Sequence, residues 1–206
     1  MLDYVPMSLL YGLPLVPIFI AGHVSHKRQE RKISKLTEAM TSHTAESVAQ
    51  KVLNDVGLKK ITVSRGDDFS VNAYNPETGQ VELSPETIGQ KDISSIGLAL
   101  YAICSLVHAK ENPVREKMRE SLKQWEPIAF WTVFSVLAFG LMADSAPAII
   151  TGYLLAVVIF IMHRMKVRLN REAASVTLKQ AVATGLFKQE EQDQIADALA
   201  AIASNS

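Results

Sequence analysis

The chain has 206 residues, 48% of them hydrophobic, and its 21 basic residues balance 21 acidic ones. A balanced charge gives no global field that would favour nucleic acid as a partner. The single cysteine excludes an internal disulfide framework and a cysteine-rich zinc knuckle. The length suits one or two domains, but the hydrophobic residues are collected into long runs rather than spread evenly.

The first long run, Val5–Val24, carries no Asp, Glu, Lys or Arg. A helix needs about 20 apolar residues to cross a bilayer core, and prolines are tolerated within it. A basic segment that begins at His26 follows directly, whereas a cleaved signal peptide carries its positive charges before the apolar stretch. The pattern therefore predicts an uncleaved transmembrane anchor.

A small mixed segment follows the predicted anchor. Apolar spacing, capping residues and β-branched alternation indicate where its helices and strands lie. Thr44 is the expected N-cap of one helix and Gly57 its C-terminal cap, and the Pro/Gly turn at 75–79 is expected to close a β-hairpin. The predicted elements, in order, are a polar helix at Lys27–Met40, a helix at Ala45–Val56, a strand at Lys60–Ser64, and a hairpin of Phe69–Tyr74 with Gln80–Leu83.

The next element is a helix predicted over Ile93–Lys110. Its segment 96–107 is apolar almost all round, which is typical of a helix buried in a core. Its few polar side chains fall on one stripe, and Cys104 and His108 share a face because residues four apart do so on a helix. Two metal ligands at this spacing, with a Glu beside the first, define the H-E-x-x-H zinc helix. Here Cys104 stands at the first His position and Ser105 at the Glu position.

The C-terminal half alternates polar and apolar segments. Trp125 and Trp131 lie near one end of the first apolar run, as interfacial tryptophans often do. We interpret the two apolar runs as a transmembrane hairpin around the turn Ala143–Pro147. The predicted elements are a polar helix at Lys110–Glu126, apolar arms at Pro127–Met142 and Ala148–Met162, and helices at Glu172–Phe187 and Gln189–Ala203.

Basic residues predict the orientation in the membrane. Lys and Arg are frequent in Lys27–Lys35, Lys110–Lys123 and Arg164–Lys179, and absent from the N-terminus and from the turn at 143–147. With three spans all basic segments fall on the cytoplasmic side, which places the N-terminus outside. If the helix Ile93–Lys110 also spanned, the basic segments before and after it would face opposite sides. We therefore assign it to the cytoplasmic domain.

The order and spacing of these segments resemble the bacterial membrane-embedded neutral zinc metallopeptidases, a gluzincin-like family. Ala45–Leu58 (AESVAQKVLNDVGL) is similar to the family's AEVARRILDANGL helix, and Tyr74–Ser84 (YNPETGQVELS) to its YDPRTKTVRLS hairpin. Ile93–Ala99 precedes the zinc helix at the family's spacing. Leu169–Ala173 stands where the downstream EFDA motif belongs.

The resemblance implies two His ligands, a Glu base and a downstream acidic ligand, and this chain departs from most of them. His108 and the following Ala109 match, but Cys104 and Ser105 replace the first His and the base, and Asn170 falls on the third-ligand position. Serine cannot accept the catalytic proton at neutral pH. An atypical site remains an alternative, in which Cys104 and His108 bind zinc together with Glu172 or His163.

The sequence therefore predicts a mainly α protein with a small β-hairpin or sheet: a metallopeptidase-like cytoplasmic domain with three transmembrane helices. We expect a catalytically inactive homologue without a bound cofactor, although zinc is possible, that acts as a scaffold or accessory subunit. Its expected partners are the lipid bilayer and another integral membrane protein. The alternatives are an active peptidase with the Cys/His/acid site and a small-ligand or lipid-binding module. The predicted domains are an anchor at 1–25, a peptidase-like domain at 26–126, a membrane hairpin at 127–163 and completing helices at 164–206.

Overall fold

The computed structural model describes residues 39–67 and 72–205. These residues form five helices and one three-stranded sheet, which confirms the mainly α fold with a small sheet. The predicted anchor Val5–Val24 and most of the predicted helix Lys27–Met40 lie outside the described residues. The elements are α1 (Ala45–Asp55), β1 (Thr62–Arg65), β2 (Ala73–Asn75), β3 (Gln80–Leu83), α2 (Ile93–Glu111), α3 (Pro113–Met142), α4 (Ala146–Ala183) and α5 (Gln189–Asn205).

The described chain divides into two compact units. The hairpin unit comprises Arg119–Lys166, and the core unit comprises the described residues up to 118 together with 167–205. Helices α3 and α4 each contribute residues to both units. The boundary between the units falls between Met118 and Arg119 in α3 and between Lys166 and Val167 in α4.

Helix α2 is the centre of the core unit. It packs against α1 on one side and α5 on another, so that apolar residues are needed nearly all round it. Gly97 permits the close approach of α5, since a Cβ placed there would lie 3.0 Å from the Ala198 Cβ and 3.3 Å from Ile202 Cδ1. The sequence predicted the burial of α2, whereas its packing partner α5 could not be named from periodicity.

The three strands lie in the order β1–β3–β2. The predicted hairpin is confirmed, with β2 antiparallel to β3, although β2 begins at Ala73 and residues 68–71 are not described. Strand β1 is parallel to β3, a pairing between distant segments that alternation alone does not reveal. The Gln50 side chain of α1 accepts a hydrogen bond from the Val63 amide and donates one to the Ile61 carbonyl, at 2.9 and 3.0 Å. It thereby satisfies one backbone group in β1 and one in the residue just before it.

The segments that the sequence separates by polarity on either side of residue 126, and again between 162 and 172, are parts of two continuous helices. Helix α3 runs through Pro127 without interruption, and α4 runs from Ala146 through the basic segment to Ala183. A proline removes one helical hydrogen bond and bends the axis, but helical turns on both sides can continue past it. A change from apolar to charged side chains alters what surrounds a helix and leaves its backbone hydrogen bonds intact.

The end of the predicted helix Lys27–Met40 is also wrong in the part that is described. Met40 forms an isolated antiparallel bridge with Asp92. The Thr41 amide donates to the Lys91 carbonyl at 2.8 Å, and the Ile93 amide donates to the Ala39 carbonyl at 3.0 Å. The segment before α1 therefore pairs with the segment before α2, a long-range contact that overrides local helical spacing.

Three described helices, α2, α3 and α4, are long and apolar enough to cross a membrane. In the hairpin unit the apolar parts of α3 and α4 expose large side chains, among them Trp131, Phe134 and Phe160. The two helices are joined by Ala143, Asp144 and Ser145, within the predicted turn. Gly140 and Gly152 allow the arms to approach, because a Cβ on either would contact Ile149 or Leu137 of the opposite arm.

Candidate functional site

Helix α2 is the element whose Cys104 and His108 the sequence compares with the ligands of a zinc helix, and its two ends are fixed by local sequence. Asp92 is the N-cap, and its carboxylate accepts a hydrogen bond from the Ser95 amide at 2.9 Å. The helix ends at Glu111 because Pro113 disfavours a helical conformation at Asn112, whose φ and ψ are −138° and 71°. The last two turns of α2 therefore carry the candidate residues on a rigid element.

Cys104 and His108 are both completely buried in α2. The Cys104 thiol donates a hydrogen bond to the Leu100 carbonyl at 3.3 Å, one helical turn back. Ser105, at the position of the catalytic base, is only partly buried. The sequence predicted a helix that carries Cys104, Ser105 and His108, and the structure places the side chains of Cys104 and His108 in the core.

His108 has a carboxylate partner that the sequence reading did not identify. Its Nδ1 lies 2.8 Å from Oε2 of Glu116 at the start of α3, and the two side chains are 0% and 4% exposed. The buried Nε2 has no hydrogen-bond partner among residues 39–67 and 72–205. The only sequence signal was an acidic residue two turns beyond His108 after an Asn-Pro break, and such spacing is too common to predict a contact.

The candidates on α4 lie in two different environments. Asn170, at the third-ligand position, is buried, whereas the Glu172 side chain is 27% exposed and pairs with Arg115 of α3. Gln180 of α4 donates to Glu111 of α2 at 2.7 Å. The C-terminal half of α4 is thus held against the end of α2 and the start of α3, and Glu172 is engaged by a guanidinium.

His163, the other candidate ligand, and Asn72, just before β2, both have structural partners. His163 belongs to the hairpin unit, where its Nδ1 lies 2.6 Å from Oε1 of Glu126, and Lys166 contacts the other oxygen of that carboxylate at 2.6 Å. Asn72 precedes β2, and its side-chain oxygen accepts a hydrogen bond from the Ser84 amide at 2.9 Å. Asn72 therefore fastens the hairpin strands.

Comparison with known families bears directly on this arrangement. A family model described as "Putative neutral zinc metallopeptidase" matches residues 8–205, nearly the whole chain. The chain belongs to this family. The match confirms the resemblance of the segments that surround the degenerate helix. No curated protein and no solved structure matches the chain.

Membership of a zinc metallopeptidase family implies a zinc ion, and the described residues around Cys104 and His108 do not form the ligand set of a zinc ion that hydrolyses peptides. Such a site needs about three protein ligands and an open position for water. Within the described ranges no group of three His, Cys, Asp or Glu residues is placed to hold a metal ion. Glu172, the acidic candidate, is paired with Arg115, and Ser105 offers no base. His108 keeps a buried Nε2 without a hydrogen-bond partner among the described residues.

Proposed function

We propose that this member of the zinc metallopeptidase family is catalytically inactive and acts by binding, as a scaffold or accessory subunit of a membrane protein complex. The observation that carries the proposal is the replacement of the base by Ser105 on an otherwise intact helix, beside a buried His108 whose Nδ1 is held by Glu116. Water activation requires a general base within reach of the water and a metal to lower its pKa. Ser105 is not suited to act as the general base, and the side chains at 104, 108 and 170 do not supply the family's set of metal ligands.

Association with a membrane is the second part of the proposal. The apolar parts of α3 and α4 expose large aliphatic and aromatic side chains, and only 11% of the most apolar window of each helix is buried. Exposed apolar surfaces of this size mark places where lipid or another protein covers the molecule. We propose that lipid covers most of this surface and that another integral membrane protein contacts the rest.

The proposed orientation follows from the basic residues. Arg164, Lys166, Arg168 and Arg171 follow the second arm, whereas the turn around Ser145 carries no Lys or Arg. Positively charged segments remain on the cytoplasmic side. The core unit and the C-terminus are therefore assigned to the cytoplasm and the turn to the opposite side. A cysteine at Ser145, in a Cys104→Ser background, should label only from outside, and labelling from the cytoplasm would contradict this orientation.

Elemental analysis of the purified protein tests the inactive site. We expect no stoichiometric zinc in the parent chain and a gain of zinc affinity in the triple variant Cys104→His, Ser105→Glu, Asn170→Glu, which restores the family's ligand types. The matched control is Cys104→His, Ser105→Glu with Asn170 retained, which lacks the third ligand. One zinc per parent chain, lost on Cys104→Ala, would instead identify the atypical Cys/His site.

Co-purification from native membranes tests the accessory role. The intact protein should retain a defined membrane protein in stoichiometric amount after mild solubilisation. The restored triple variant should retain the same partner, since the proposed role does not use the catalytic positions. If the folded triple variant lost the partner, partner binding would depend on positions 104, 105 and 170, which would contradict the proposal.

A further inference from the structure

Two consecutive residues at the start of α3 contact two different helices. Glu116 Oε2 lies 2.8 Å from His108 Nδ1 on α2, and Arg115 pairs with Glu172 on α4. Consecutive helical residues project about 100° apart, so neighbours on α3 can reach helices on different sides. All four residues belong to the core unit.

The helices joined in this way are those that carry the positions of the family's metal ligands. Cys104 and His108 lie on α2, and Asn170 lies on α4. A bound zinc ion holds its ligand-bearing elements together and contributes directly to folding energy. Among residues 39–67 and 72–205 no complete ligand set is found, and Arg115 and Glu116 connect the same two helices through side chains.

We propose that Arg115 and Glu116 form a side-chain bridge between α2 and α4 that takes the structural place of a zinc ion. The bridge consists of the pairs His108–Glu116 and Arg115–Glu172. This inference rests on the part of the proposed function that leaves the site without metal, and it does not depend on the accessory role.

The two halves of the bridge differ in strength because they differ in burial. The side chains of His108 and Glu116 are almost completely buried, whereas those of Arg115 and Glu172 are 57% and 27% exposed. Removing one partner of a buried pair leaves a desolvated polar group without its partner and strongly destabilises the fold. Exposed ion pairs contribute little. The His108–Glu116 pair therefore carries most of the bridge.

The chain provides its own reporter for this region. Cys104 is its single cysteine and is completely buried one turn before His108. A maleimide reaches a buried thiol only after the surrounding structure opens, so its labelling rate follows the population of the open form. The labelling rate of Cys104 in the full-length protein in detergent therefore measures how tightly this part of the core is held.

The experiment is a double-mutant cycle with His108→Leu and Glu116→Leu. We expect each single substitution to raise the labelling rate by about 100-fold, which corresponds to roughly 3 kcal/mol at 1.4 kcal/mol per tenfold. The double variant should label far more slowly than the product of the two effects, because an apolar pair can replace a buried ion pair at little cost. Arg115→Gln should raise the rate by less than about fivefold. Glu120→Leu, at an exposed position on the same helix, is the matched control and should leave the rate unchanged.

Zinc content and labelling of the parent chain with and without EDTA complete the test. Absence of bound zinc and an EDTA-independent rate, together with coupled Leu substitutions, support the bridge. If the parent chain contained stoichiometric zinc, and EDTA raised the labelling rate of Cys104 as much as Glu116→Leu does, both the proposed bridge and the proposed inactivity of the site would be overturned. A zinc-free parent with additive or negligible Leu effects would overturn the bridge alone. If the single variants do not fold, a folded double variant supports the bridge, and an equally unfolded one overturns it.

Discussion

Helices α2 and α3 are equally apolar over their 18 most hydrophobic consecutive residues, but 67% of those residues are buried in α2 and 11% in α3. The first is covered by α1 and α5 of its own chain. The second exposes Trp131, Phe134 and Phe139. Hydropathy therefore measures how much apolar surface a helix has, and it does not identify the protein or lipid that covers it.

The largest effect should come from a charge in the covered helix. Ile103 of α2 is completely buried, and Ile103→Asp would place an unpaired carboxylate in the core. We expect a cost of about 5 kcal/mol or more, comparable with the whole stability of a typical domain. Rapid labelling of Cys104 would report the loss of the core unit. Ile103→Leu is the control, with an expected cost of less than about 1.5 kcal/mol.

A charge in the uncovered helix should act on membrane insertion instead. Phe134 is 58% exposed in the apolar part of α3, and Phe134→Asp should disfavour insertion by roughly 3 kcal/mol. In a Cys104→Ser, Ser145→Cys background, the turn should then become accessible from the cytoplasm, whereas Phe134→Leu should leave its labelling unchanged. If Phe134→Asp inserted normally but destabilised the fold as Ile103→Asp does, this face of α3 would be covered by protein.

The two glycines of the hairpin unit test how closely its arms pack. A Cβ at Gly140 would lie 2.9 Å from the backbone nitrogen of Ile149, whereas one at Gly152 would lie 2.6 Å from Cγ of the Leu137 side chain and closer still to its Cδ2. A side chain can move away more easily than a backbone atom, so we expect Gly140→Ala to cost about 1–3 kcal/mol and Gly152→Ala to cost less than Gly140→Ala. Thermal midpoints in detergent would distinguish them. Equal shifts would mean that the arms do not pack through Gly140.

The smallest effect on stability should come from Cys104. Cys104→Ala removes a buried thiol and its hydrogen bond to Leu100, and we expect a cost of about 1 kcal/mol. Thermal unfolding of the purified variant measures it, and Ala102→Gly is a comparison for the loss of one buried group on the same helix. Complete unfolding on Cys104→Ala, with release of bound metal, would identify a structural metal site.

Much of the local structure was predictable because it depends on neighbouring residues. Thr44 marks the start of α1, and Gly57, with φ of 82°, follows its end. The Pro/Gly turn at 75–79 fixes the hairpin. Within the candidate site, the i, i+4 spacing of Cys104 and His108 placed both on one face of α2. The sequence alone also shows that position 105 holds a serine where the resemblance implies a Glu base, and the residue type decides that this side chain cannot accept the proton at neutral pH.

The sequence by itself determined α1, α2, the hairpin and the family, because periodicity, capping and motif order are local properties of the chain. Only the tertiary structure decided which elements meet: β1 with β3, α5 on Gly97, and Glu116 with His108. It also decided that Glu172 is held by Arg115. These contacts join residues far apart along the chain or across a helix break, and each depends on the packing of whole helices, which no short pattern records.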